Sequence, residues 1–420
     1  MFRLFAKLLL ASLFGLILYA GSSTQVVSAS PTTEPANVSV IVYGFLRFRA
    51  LSREKGPAPF YADEMKLLDQ PAQRVRIVLF WSLGGAWNYL DELYSWETPG
   101  LQGYYQSPEY YFSQPVQIAV RFELSDSRVQ IRNPGNNNYS YFIDEYIGGN
   151  LSGVVRYDRT FGSYFENQFE YNLGQAFYLF DLTARDGYNF LQNQVAWNDD
   201  RRLAINFPKK CLDVPMETTD CYRWGDIIAQ TPGELFIQTP RSASYPDGVL
   251  HEYGHFVLAK YISDWSVINA CASQLYNHDP LVLSSQTCAY SEGWSNFFQA
   301  ALQSDTDILG WEIESLEFSS NIDNVTYWNG EQNELTVAAV WKDIFDASNE
   351  TDDRMTDGLN GYNKGIWYFL TNANHNNSFD EFEADWAVQR GNDCTLALIK
   401  RRYRIFDISP CKTHLPIILR

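Results

Sequence analysis

The stretch DGVLHEYGHFVLAKY, from Asp247 to Tyr261, holds two of the chain's five histidines. His251 and His255 are four residues apart, so on a helix they share one face, stacked a turn apart. Two imidazoles placed in this way can hold one ion between them, at about 2.0–2.1 Å each if it is zinc. Glu252 stands to one side of the pair. It is too near in sequence to make an easy third ligand, but well placed to touch a metal-bound water. The pattern H-E-x-x-H therefore combines two ligands with a base suited to hydrolysis. The competing structural reading is a buried helix whose histidines hydrogen-bond elsewhere.

The helix that must present these groups is legible around them. Asp247 is a good N-cap, since its carboxylate can accept free N–H groups of the first turn. Val249, Leu250, Phe256, Val257 and Leu258 supply a buried side. Gly254 costs about 1 kcal/mol relative to alanine in mid-helix, a cost tolerated where another backbone must approach closely.

The third ligand decides the type of site. In the H-E-x-x-H-x-x-G-x-x-H arrangement it is a histidine six residues past the second. Here Leu258 replaces the glycine and Tyr261 the histidine, so that arrangement fails. The other source is an acid on a downstream helix. AYSEGWSNFFQAALQ (Ala289–Gln303) offers Glu292, with Trp294, Phe297, Phe298 and Leu302 at core spacing and Gly293 permitting close approach. Asn296 lies four residues after Glu292, on the same face, where its carbonyl oxygen could accept the second ring N–H of a ligand histidine. His278, Glu312, Glu314 and Glu317 are rivals that lack the small-residue, aromatic-flanked setting of Glu292.

HEYGH followed by SEGWSNFF resembles the gluzincin metallopeptidases, the broad group that includes thermolysin and fungalysin. In that group the second helix carries Glu-x-x-x-Asp, and this chain reads Glu292-Gly-Trp-Ser-Asn296. The resemblance implies one zinc held by His251, His255 and Glu292, with Glu252 as general base. NGYNKGIWYFL (Asn360–Leu370) loosely resembles a thermolysin-like H-x-N-x-G-I segment through Asn363, Gly365 and Ile366. Gly361 stands where that segment has its transition-state histidine, and Asn296 where the family has an aspartate. Tyr362 and His375 are the candidate donors to the developing oxyanion. The 36 residues between His255 and Glu292 are more than thermolysin-like enzymes have. The strand ELFIQ (Glu234–Gln238), just before the zinc helix, would be the edge that pairs with extended peptide substrates. The acidic loop with Asp346, Glu350, Asp352, Asp353 and Asp357 is a weaker candidate for calcium, because its spacing does not fit an EF-hand loop.

The chain's 420 residues suggest about two domains. Arg3 and Lys7, the apolar run Leu8–Ala20 and Val27-Ser28-Ala29 read as a signal peptide over residues 1–29. Residues 30–36, SPTTEPA, read as a linker. Two of the 32 basic and none of the 50 acidic residues lie in the signal, so its removal takes the net charge from −18 to −20. Such a balance argues against binding nucleic acid or anionic membranes through the overall field.

Residues 37–135 read as a β-sandwich. Val38, Val40 and Val42 alternate with Ser39, Ile41 and Tyr43; RVRIVLFW, VQIAVRFEL and SRVQIR follow as strands. NPGNNN (Asn133–Asn138) marks the expected boundary. Residues 136–420 then carry helical spacing in LGQAFYLFDLTARDGYNFLQ, in the two zinc-helix segments, in NELTVAAVWKDIF and in NKGIWYFLTNA, with RRLAINFP and GELFIQTP as strands. An even count of six cysteines in an exported chain suggests disulfides; the sequence allows 15 connectivities, of which the local pairing 211–221, 271–288 and 394–411 is the simplest.

The expected fold is α+β: an N-terminal β-sandwich followed by a mainly α-helical, gluzincin-like domain with a small sheet. The expected activity is that of a secreted zinc peptidase acting on extracellular protein or peptide, not inserted in a membrane after signal removal. The alternative is a catalytically inactive protease-like binding or adhesion protein. The missing family histidine favours that alternative; Glu252, for which a binding domain has no chemical use, argues against it.

Overall fold

The long strand β1 (Val38–Glu54) shows how the N-terminal part is built. Val40, Val42, Leu46, Phe48 and Ala50 are buried, while Phe45, Arg47 and Arg49 between them face outward. This period-2 alternation makes one face of a sheet apolar. A computed structural model describes residues 37–54, 64–133, 141–162, 168–195, 197, 202–211, 220–223, 233–262, 267, 271, 282–303, 307–308, 311–312, 330–345, 378–379, 381–382, 384, 396 and 400. The expected signal peptide and linker lie outside them, as do His278, Tyr362, His375, the acidic loop, the NKGIWYFLTNA segment, and Cys394 and Cys411.

Around β1 gather β2 (Glu64–Pro71), β5 (Tyr104–Gln106) and β6 (Tyr110–Phe112), all antiparallel, and β10 (Gly153–Arg156) and β11 (Arg159–Phe161), both parallel. A second sheet runs β4 (Asn88–Tyr94), β3 (Arg76–Ser82), β7 (Val116–Glu123), β9 (Phe142–Leu151), antiparallel throughout. The two sheets meet through aromatic rings: Tyr105 on Phe122 at 6.5 Å, Phe122 on Phe161 at 5.1 Å and Trp81 on Phe112 at 5.3 Å between centroids. The N-terminal part is thus mainly β. Its strand pairing runs past the expected boundary at residue 135, because β9 to β11 complete both sheets.

A third sheet has the order β13 (Cys221–Arg223), β14 (Glu234–Phe236), β12 (Leu203–Asn206), β8 (Val129–Arg132). SRVQIR, read as one more sandwich strand, instead supplies β8, which pairs in parallel with β12. ELFIQ is not an edge. Its β14 is hydrogen-bonded to β12 on one side and to β13 on the other. The Cys211–Cys221 disulfide brings the chain back so that β13 takes the outer place.

Helix α1 (Gln168–Phe180) continues into a π-helix (Asp181–Gly187) and α2 (Tyr188–Val195). It seats Phe177 on Phe161 at 4.3 Å, on the buried side of β11. Gly174 is needed there, since a Cβ would lie 2.0 Å from the carbonyl oxygen of Arg49. The short α3 (Pro240–Ala243), capped by Thr239 Oγ1 accepting from Ser242 N, leads to α4 (Pro246–Leu258). Helices α5 (Gln286–Gln303) and α6 (Glu334–Phe345) follow; Asn333 Oδ1 caps α6 by accepting from Thr336 N at 2.9 Å. One continuous apolar core links strands and helices. The described chain is therefore mixed α/β with several sheets, and the expected mainly helical C-terminal domain includes many residues outside the description.

Candidate metal centre

Helix α4 starts at Pro246, whose fixed φ and missing N–H suit a first helical position. The N-cap is Tyr245, without a side-chain cap bond, so Asp247 is not the cap expected from the sequence. It sits in the first turn, and its carboxylate accepts from Gln303 Nε2 at 2.9 Å. That contact, with His251 beside Asn296 and His255 beside Ser291 and Glu292, lays α4 and α5 antiparallel.

Gly254 permits the close packing. A Cβ there would stand 2.9 Å from Ser295 Cα and 3.2 Å from Phe298 Cβ. The indole N–H of Trp294 donates to the carbonyl of Gly254 at 3.1 Å, a direct bond between the helices. Gly293 permits a close approach between helices, as expected, and the helix that approaches is α6: its open side meets Val337 and the Glu334 carbonyl. Trp294 and Trp341 meet edge to face at 5.4 Å, both fully buried, which holds α5 on α6. The Cys271–Cys288 disulfide ties α5 down one turn before Glu292.

This frame brings His251, His255 and Glu292 together. One donor atom from each lies within 4.8 Å of the others. Glu292 Oε2 is 2.9 Å from His251 Nε2 and 3.2 Å from His255 Nε2. Donors held tetrahedrally around zinc at 2.0–2.1 Å stand about 3.3 Å apart, so both separations suit one small cation. His255 and Glu292 are buried, and His251 is nearly so.

Asn296 Oδ1 lies 3.0 Å from His251 Nδ1. An amide oxygen only accepts, so this contact is a hydrogen bond in the tautomer of His251 that is protonated on Nδ1. Its Nε2 then faces a carboxylate oxygen at 2.9 Å, a separation that two acceptors hold only with a proton or a cation between them. The donor chemistry therefore fits a divalent metal. Ser291 Oγ, 3.3 Å from His255 Nδ1, plays the corresponding part for the second ring. Ser291 is a site residue beyond those expected from the sequence, where its only signal is a hydroxyl next to the expected acid ligand.

Glu252 follows His251 on α4 and is half-buried. A cleft of about 690 Å³ opens at the start of α4, lined by Asp247, Gln303, Arg53, Tyr178 and Asp186 among others. Cys271, Cys288 and Glu334 also lie within metal-binding distances of one another. Both sulfurs are bonded to each other there, so no thiolate is available. Among the described residues no helix is long and apolar enough to cross a membrane. Two disulfides fit an oxidising compartment.

The family model of the mycolysin C-terminal domain matches residues 234–401, a span that includes β14, both helices of the centre and α6. No curated protein matches the chain. The family match supports a thermolysin-like metallopeptidase context for this part of the chain and, at that coarse level, a hydrolase.

Proposed function

We propose that the chain is an exported zinc peptidase that cleaves extracellular proteins or peptides. His251 Nε2, His255 Nε2 and Glu292 Oε2 are the residues that would hold the ion. The observation that carries this reading is the convergence of two imidazole lone pairs and one buried carboxylate oxygen, 2.9 and 3.2 Å apart, on a helix pair inside the matched segment.

Zinc bound by three protein ligands supplies a Lewis acid and a water of lowered pKa. Glu252, next to His251 and not engaged as a ligand, takes a proton from the attacking water and returns it to the leaving amine. Asn296 Oδ1 and Ser291 Oγ face the two Nδ1 atoms, which turns both Nε2 atoms toward Glu292 and the position of the metal. Burial of His255 and Glu292 excludes water from the inner side of the centre. Tyr362 and His375 are the groups we assign to the oxyanion side. The cysteine pairs and the N-terminal apolar run support export.

Metal analysis of the purified chain together with cleavage of a mixed peptide library tests the reading. One zinc per chain and hydrolysis lost on zinc removal are expected. A chain with no metal, or with hydrolysis unaffected by a strong chelator, would overturn it.

A further inference from the structure

The two imidazoles of the centre are both held from behind by uncharged groups. Asn296 Oδ1 faces His251 Nδ1 at 3.0 Å and Ser291 Oγ faces His255 Nδ1 at 3.3 Å. A carboxylate in such a place raises the basicity of the ring and tightens the metal, and loss of such a partner typically costs 10–100-fold in metal affinity. An amide and a hydroxyl orient the ring without that charge.

We infer that Ser291 and Asn296 are positioning residues forming a neutral outer shell, and that the centre holds its zinc more loosely than a carboxylate-backed site would, leaving occupancy responsive to the surrounding zinc. This inference rests on the zinc reading above.

A second observation bears on Asn296. Its Nδ2 is buried and has no hydrogen-bond partner among the described residues, and the residue is only 1% exposed. The amide N–H group therefore contributes nothing visible to the fold. An oxygen in its place would break no bond, so the pocket that holds Asn296 has the shape for an aspartate. What an aspartate would add is charge. Beside the buried Glu292, a second carboxylate is costly while the metal is absent and is offset once a divalent ion binds. Asparagine avoids that cost in the metal-free chain and gives up affinity in return. The physical trade is thus between a metal-free chain that folds readily and a tightly held ion.

The test is zinc affinity of the full exported chain, measured by competition with a chromophoric chelator. The wild type, Asn296→Asp, Asn296→Ala, Ser291→Ala and Ser291→Thr are compared. Asn296→Asp should bind zinc about tenfold tighter or more, and should melt lower than the wild type when metal-free. Ser291→Ala and Asn296→Ala should each bind about tenfold more weakly, and Ser291→Thr, which keeps the hydroxyl, should restore affinity. Nitrogen-15 spectra of the zinc-loaded wild type should show both ligand rings protonated on Nδ1.

Wild type without zinc affinity would overturn the zinc reading itself. Zinc-binding wild type with unchanged affinity in Ser291→Ala and Asn296→Ala would leave that reading intact and overturn this inference. A folded Asn296→Asp that binds no tighter would do the same. If Asn296→Asp does not fold, the two alanine variants and the threonine rescue decide.

Discussion

Gly254 and Ser295 touch backbone to backbone across the two helices of the metal centre: a Cβ on Gly254 would stand 2.9 Å from Ser295 Cα. Three donor atoms can converge only if α4 and α5 come this close, so the smallest side chain sets the geometry of the largest chemical feature. Gly254→Ala should gain up to about 1 kcal/mol in helix propensity and lose about 1–3 kcal/mol to overpacking. A net loss of stability is expected, with a larger proportional loss of zinc affinity, since His251 and His255 move away from Glu292. Thermal melts with and without zinc separate the two effects. Equal melting of Gly254→Ala and wild type in both states would show that the close approach is dispensable.

Glu252→Gln keeps the size of the side chain and removes its basicity. Zinc content should be unchanged, while hydrolysis should fall by about 10²–10⁴-fold, the usual contribution of a positioned general base. Retained activity with full zinc would place the base elsewhere.

Glu292→Ala removes the oxygen that both Nε2 atoms approach. The remaining imidazole pair should hold zinc too weakly to survive dialysis, and activity should vanish with the metal. Zinc retained by the folded variant would point to a ligand outside the described residues, such as His278.

Much of the centre was legible because its grammar is local. His251 and His255 share a face by helical periodicity alone, Gly254 announces a close neighbour, and Glu292 with Asn296 repeats the same spacing on the next helix. What failed was non-local. Nothing in SRVQIR says that its partner is β12, more than seventy residues on, rather than a sandwich strand. ELFIQ reads the same at an edge or in the interior; the disulfide-closed return of β13 decides the matter. Asp247 lost the cap because Pro246 can start a helix and a glutamine from α5 was waiting for the carboxylate. The oxyanion side depends on Tyr362 and His375, which lie outside the described residues.

Reduction of the Cys271–Cys288 disulfide should weaken zinc binding before it unfolds the chain. Cys288 stands one turn ahead of Glu292 on α5, and the bond spans a sequence separation of 17. Closing a loop of that size is worth about 3 kcal/mol in the chain-entropy model. Cys271→Ser with Cys288→Ser should lower zinc affinity and fray the start of α5, seen as faster amide exchange around Cys288 to Glu292. Unchanged exchange and affinity would make the disulfide irrelevant to the centre.

Asp181, in the π-helix behind α4, gives the chain a stability that falls as pH rises. Burial pushes its carboxyl up to about 7, against the opposing pull of Arg185 at 2.9 Å. The folded pKa lies above the unfolded value of about 3.9, so between these values the folded state binds more protons than the unfolded one. Stability contributed by the neutral acid is then fully present below about pH 4 and is lost as pH rises towards 7. Asp220, pushed by burial to about 6 while accepting from the Gln238 N–H, acts in the same direction over a narrower window. Asp181→Asn mimics the protonated form. It should leave the denaturant midpoint nearly unchanged at pH 4 and raise it at pH 8. An equal effect at both values would mean that the carboxyl is ionised throughout, with Arg185 outweighing burial. Because Arg185 also pairs with Asp186 at 2.7 Å, it keeps a carboxylate partner in the variant, and the comparison isolates the buried acid.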